Sequence, residues 1–125
     1  MDLIDIASYL ETNGLGIQGK SIFINQMPVE CKSGLMLRSP LRGTRIDYEL
    51  PGYYKGMFQL TVRAPNYVLG NQNIKDITSA LTIANQTIGS YFYNYIRPLN
   101  LPVAFPISKG NLIELSTEFE VCFTE

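Results

Sequence analysis

The sequence predicts an α+β fold: a mainly antiparallel sheet of about five to six strands with two helices packed on one face. Three observations carry this. Met57–Arg63 and Leu112–Phe123 alternate apolar and polar residues, the period of a strand buried on one side. Between them, Ile74, Ile77, Leu81, Ala84 and Ile88 recur at steps of three and four, which makes one apolar helical stripe. A second, shorter stripe opens the chain. The stretch from Lys55 to Ser90 therefore holds a strand and a helix that must bury their apolar faces against each other and against further strands.

In chain order, Asp2 to Asn13 reads as a helix with Leu3, Ile6, Ala7 and Leu10 buried. Asp2 and Asp5 lie in its first turn, where negative charge suits the helix dipole, and Asn13-Gly14 ends it. Gly14, Gly16 and Gly19 then match a dinucleotide-binding spacing. That fingerprint needs a strand before it and a helix after it, and here the order is reversed, so these glycines read as a helix stop and a turn. Ser21 to Asn25 and Gly34 to Arg38 are short strands, separated by a loop in which Pro28 holds Met27 extended. Ser39 to Gly56 contains Pro40, Gly43, Pro51, Gly52 and Gly56, so it cannot be one regular element, and long loops of this kind are commonly functional.

A turn over Ala64 to Asn71 leads to the main helix, with Asn71 or Asn73 as its cap and Gly89 at its end. Tyr91 to Arg97 carries aromatics on both faces, which suits a strand covered from two sides, and Pro98 stops it. Leu101 to Ile107 is extended, but Pro102 and Pro106 confine it to a sheet edge. After a turn at Ser108–Asn111, the last strand places Ile113, Leu115, Thr117, Phe119, Val121 and Phe123 inward and Glu114, Ser116, Glu118 and Glu120 outward, and pairs with its predecessor as a hairpin.

At 125 residues the chain has the size of a single domain, 1–125, and carries a net charge of −1, which gives no bulk attraction to nucleic acid. Cys31 and Cys122 fit no metal or redox spacing and read as buried reduced thiols. No apolar run is long enough to span a bilayer, and Asp2 and Asp5 stand where a signal peptide is basic, so a soluble protein made in a cytoplasm is expected. Histidine is absent, as are a nucleophile elbow and a phosphate-binding loop. The expectation is no catalytic residue, no cofactor, no metal and no enzymatic activity. Glu118 and Glu120 could serve as an acid–base pair or hold a cation, but a solvated or partner-facing strand explains them as well. The glycosylation pattern at Asn85–Thr87 falls inside the expected helix and is discounted.

Charge is unevenly distributed. Lys32, Arg38, Arg42, Arg45, Lys55 and Arg63 cluster mid-chain against Asp47 and Glu49. Asp2, Asp5 and Glu11 open the chain, and Glu114, Glu118, Glu120 and Glu125 close it, in both cases without a base. Two readings stand: a solvated surface, or a basic edge of one copy meeting an acidic edge of another, which generates rings. Arg42, Arg45, Tyr48, Tyr53 and Tyr54 are residue types enriched at interface hot spots. Interleaved bases and aromatics would also suit nucleic acid, but Asp47 and Glu49 interrupt the run.

Several stretches together resemble the tail-terminator and minor capsid proteins of long-tailed bacteriophages. They are the Asp2–Asp5 helix start followed by Leu15-Gly16, and the strand ending Asn25-Gln26-Met27-Pro28. Tyr48–Tyr53 leading into Phe58–Ala64, the helix with Ile74 and Leu81, the Pro102 strand and the closing alternating strand complete the set. The acidic residue that many relatives place after the late extended segment is replaced by Ser108-Lys109-Gly110. The resemblance implies a structural virion protein, assembled in the bacterial host's cytoplasm. It implies a homo-hexameric ring at the head-proximal end of the tail, contacting the tail tube protein and a head-completion or connector protein. Such a ring stops tube polymerisation and offers the head-joining surface. From composition and position, Arg38, Arg42, Arg45, Tyr48, Tyr53, Tyr54 and Lys55 are expected to meet neighbouring subunits or the tube, with Glu114, Glu118 and Glu120 as a complementary or lumen-lining face. No membrane and no specific nucleic acid is expected as partner. The alternatives are a neck or head-completion protein on the portal side and a small nucleic-acid or ligand-binding domain.

Overall fold

The computed structural model describes residues 2–28, 30–39, 43–46, 49–106 and 112–124. Asp2 caps helix α1 (Leu3–Thr12) by accepting the Ile4 N–H at 2.9 Å, and Leu3, Ile6, Ala7 and Leu10 form its buried stripe. Eight strands follow: β1 (Ile22–Ile24), β2 (Gly34–Arg38), β3 (Arg45–Ile46), β4 (Tyr53–Ala64), β5 (Ile83–Ile88), β6 (Tyr91–Pro98), β7 (Val103–Pro106) and β8 (Ile113–Thr124), with helix α2 (Tyr67–Leu81) between β4 and β5. They form one sheet in the order β1-β2-β4-β8-β6-β5, with β3 beside β4 and β7 beside β8. β1 and β2 run parallel, and the other pairings are antiparallel.

The α+β class holds, with more strands than the sequence suggests. One added strand comes from the long irregular stretch, where Arg45 and Ile46 pair with Lys55 and Tyr54; β4 is also longer than expected, beginning at Tyr53 rather than Met57. Gly52, at φ 80, turns the chain into β4. The second added strand comes from the predicted helix. Asn66, not Asn71 or Asn73, caps α2 by accepting the Leu69 N–H at 2.9 Å. The helix ends at Leu81, where the Thr82 hydroxyl donates back to the Thr78 carbonyl at 2.7 Å. Ala84 and Ile88 then lie on β5, and Gly89 serves the two-residue turn between β5 and β6. Its φ of 61 is the left-handed value that such a hairpin turn requires, and a Cβ there would overlap the Asp5 carboxylate. The Asn85 pattern therefore sits on a strand rather than mid-helix.

β4 and β8 pair along twelve residues each, from Tyr53↔Thr124 to Ala64↔Ile113. Their inward residues Phe58, Leu60, Val62, Leu115, Phe119, Val121 and Phe123 meet both helices in one core, so the helices share a face of the sheet. Phe58 and Phe119 stack at 5.1 Å, and Phe123 gathers Tyr54, Tyr91 and Tyr93 around it. Burying each large apolar side chain contributes roughly 1.5–3 kcal/mol. α2 approaches β8 at Gly70, where a Cβ would stand 2.5 Å from Leu115 Cδ1.

The register of β6 on β8 shifts at Asn94, a β-bulge. It turns Tyr93 and Ile96, three residues apart, onto the core side and Tyr95 onto the other. This is how one strand carries aromatics on both faces. The cysteines are unpaired; Cys122 is buried, while Cys31 is partly exposed rather than buried as expected. Among the described residues no helix is long and apolar enough to cross a membrane.

Candidate assembly surface

The face of the sheet opposite the helices carries the polar half of each alternating strand. Because the strands are in fixed register, residues distant in sequence fall into cross-strand rows. One row runs Arg38, Gln59, Glu118; another Gly34, Arg63, Glu114, Phe105; a third Met36, Thr61, Ser116, Val103; a fourth Met57, Glu120, Arg97; and a fifth Arg45, Lys55, Cys122, Tyr95. Of the ten residues singled out from the sequence, Arg38, Arg45, Tyr53, Lys55, Glu114, Glu118 and Glu120 share this face. Tyr54 is on the helix side, stacked at 5.2 Å on Phe123. Arg42 and Tyr48 lie outside the described residues.

Within the face, charge is handled in two ways. Glu114 and Glu120 are ion-paired inside the chain. Arg63 Nη2 lies 3.4 Å from Glu114 Oε2, and its Nη1 donates to the carbonyls of Pro28 and Cys31 at 2.8 and 3.0 Å, which ties the loop after β1 to the sheet. Arg97 donates twice to Glu120 Oε2, at 3.0 and 2.9 Å, while its guanidinium lies 4.3 Å from the centre of the Tyr95 ring. Hydrogen bonding to Glu120 raises the Arg97 pKa; desolvation, with the Glu120 charge second, raises that of the Tyr95 phenol. Arg38, Arg45, Lys55 and Glu118, by contrast, are exposed and stand outside both ion pairs. Arg45 and Lys55 are direct cross-strand neighbours of like charge.

Towards β7 the face becomes covered and partly apolar. Gln59 donates to the Ser116 hydroxyl at 2.6 Å, Thr61 and Ser116 lie 3.3 Å apart, and both Thr61 and Ser116 are buried although they sit on the outward side. Between β6 and β7 the Asn100 side chain replaces a strand residue by accepting the Glu118 N–H at 3.0 Å, while the Leu99 N–H donates to the Glu118 carbonyl. The gap leaves a concavity of about 360 Å³ bounded by Gln59, Leu99, Val103, Phe105, Ser116 and Glu118. Leu99, Leu101, Val103 and Phe105 are exposed along the same edge. Sequence reasoning counted Arg63 in the basic cluster and placed Leu101–Ile107 at a sheet edge, but gave neither a role, nor Arg97. The usable signal was the alternation of Leu101, Val103 and Phe105 in a stretch that also holds Pro102 and Pro106, which marks an edge strand with one apolar side.

Fold and surface together define a class: a two-helix, one-sheet α+β protein with one sheet face packed and the other polar and open. Residues 9–125 match the family described as bacteriophage tail terminator protein, and the chain belongs to that family. It is accordingly a structural, tail-associated component of a phage virion. A solved chain from the virion of a native gene transfer agent particle is similar in fold, with a TM-score of 0.68 and 13% identity over 96% of this chain and 92% of that one. A second solved chain gives a TM-score of 0.50, also at 13% identity, over 100% of this chain and 97% of its own. No curated protein sequence matches the chain.

Proposed function

We propose that this protein, as a single domain, forms a homo-hexameric ring on the head-proximal end of the tail tube. The ring stops tube polymerisation and presents the surface that joins the tail to a head-completion or connector protein. The observation that carries this reading is the family match over residues 9–125, which spans nearly every element of the fold. The fold's likeness to a chain from a gene transfer agent virion supports it. So does the surface: short, open sheet edges with exposed apolar residues and exposed charges suit contact with other protein subunits. Arg38, Arg45, Tyr53 and Lys55 are assigned to subunit or tube contacts, as are Arg42, Tyr48 and Tyr54 on composition. Catalytic turnover forms no part of this role.

The test is a phage or phage-like particle from which this chain is removed. Tails of uncontrolled length without heads are expected, with normal length and head joining restored by the full chain, and six copies seen by electron microscopy at the upper end of the tube. Normal tails without the chain, or a restored chain seated on the portal side of the neck, would overturn the reading.

A further inference from the structure

We infer that the subunits of this protein meet edge to edge, with the Arg45–Lys55 corner of one copy seated on the Leu99–Phe105 edge and Glu118 of the next. This names the contact surfaces of the ring proposed above and rests on that reading.

Four observations converge. First, Arg45 and Lys55 are cross-strand partners on one face, both exposed and both outside the ion pairs among the described residues. Like charges directly opposite one another destabilise a strand pair, so an anionic group from outside would relieve the corner. Second, Glu118 is the exposed carboxylate of the outward row of β8; its neighbours Glu114 and Glu120 are neutralised by Arg63 and Arg97. Third, Glu118 stands on the rim of the 360 Å³ concavity, beside Leu99, Val103 and Phe105. The surface thus combines an exposed apolar edge with one negative charge. Arginine and lysine match it, because their aliphatic stems cover apolar surface while the charged heads reach a rim.

The fourth observation is placement. β3 lies on the outer edge of β4, level with Cys122 of β8, while β7 lies on the opposite outer edge, level with Ser116. With ~3.3 Å per residue and ~4.8 Å per strand, the two patches are roughly 20 Å apart along the strands and about 14 Å apart across them. They share the open face without overlapping, so a contact repeated from copy to copy is head-to-tail and leaves each terminal copy with one free half, the arrangement that closes into rings. Contact by side chains is favoured over an extended strand ladder, because β7 has four residues and prolines stand at 102 and 106.

The test uses the full chain, alone and on tails purified from particles. Arg45→Glu combined with Lys55→Glu, and separately Glu118→Lys, should each weaken self-association by about tenfold or more, read by sedimentation or by occupancy of tail ends. Mixing the two variants should restore association, since each then supplies the half that the other has lost. In a Cys31→Ser background, Arg45→Cys with Val103→Cys should give disulfide-linked multimers beyond dimers on tails. Native assembly by both charge variants, or absence of cross-links in a tail-bound chain, would overturn this contact while leaving the ring standing. Assembly on tails that stops at two copies would mean a closed reciprocal pair and would overturn both the head-to-tail contact and the ring. A chain that is absent from tails altogether would take the ring reading down as well. Loss of single-stranded oligonucleotide binding in Arg45→Glu/Lys55→Glu with unchanged assembly would show a nucleic-acid contact and overturn the inference.

Discussion

The two faces of the β4–β8 pair are built from the same twelve-residue strands, yet they obey different rules. On the helix side, Phe58, Leu60, Val62, Leu115, Phe119, Val121 and Phe123 are all nearly or fully buried, and each fits a space that its neighbours define. On the open side, some charges are paired within the chain, some hydroxyls are covered, and some groups are left to solvent. The first face specifies the fold through volume. The second tolerates substitution in stability terms and is therefore where contact chemistry can be placed without dismantling the domain. The alternation of a β-strand is what allows both on one backbone.

That contrast can be broken experimentally, and the largest effect belongs to the packed face. Leu60→Ala should destabilise by about 2–5 kcal/mol, measured by urea unfolding, because Leu60 is fully buried. Arg38→Ala, on the open face, should leave the unfolding midpoint in place. An equal loss from both would show that the open face is not independent of the core.

Next in size is Arg63→Ala. It removes donors to two loop carbonyls and a partly buried ion pair, so about 1–2 kcal/mol is expected, together with faster hydrogen exchange around Cys31. This is the open-face residue that should behave most like a core residue. Unchanged exchange near Cys31 would mean that the loop is held by something else.

The third concerns pH. The Tyr93 phenol, on the packed side, is pushed up to about 12, first by burial and then by the Asp5 charge. The neutral form is the one that the fold favours. Its stabilisation is therefore complete below the unfolded value near 10 and is lost as pH rises through about 12. Tyr93→Phe should flatten the stability curve between those values; a curve as steep as wild type would assign the alkaline transition to other groups. The smallest effect is expected from Thr117→Val. Thr117 faces the core with its hydroxyl unsatisfied, so removing that hydroxyl should leave stability unchanged or raise it by up to about 1 kcal/mol in thermal unfolding. A clear loss would reveal a partner for the hydroxyl.

Periodicity by itself determined the first helix, the body of the second, the core face of β4 and β8, and the α+β class, because those elements have one buried side and long enough runs to show it. It misplaced the end of α2, since Ala84 and Ile88 continue the helical spacing of Ile74, Ile77 and Leu81 although they lie on β5. The Gly89-Ser90 pair is a hairpin signal, and only pairing with β6 decides between the two readings. The bulge at Asn94 was equally hidden, because a one-residue register shift leaves no mark in a run of aromatics. For the surface, the sequence supplied the charged and aromatic residue types but not their grouping. Cross-strand register is a long-range property, and it alone sets Glu114 beside Arg63 and Glu120 beside Arg97 while leaving Glu118 exposed at one place on the open face and Arg45 and Lys55 at another.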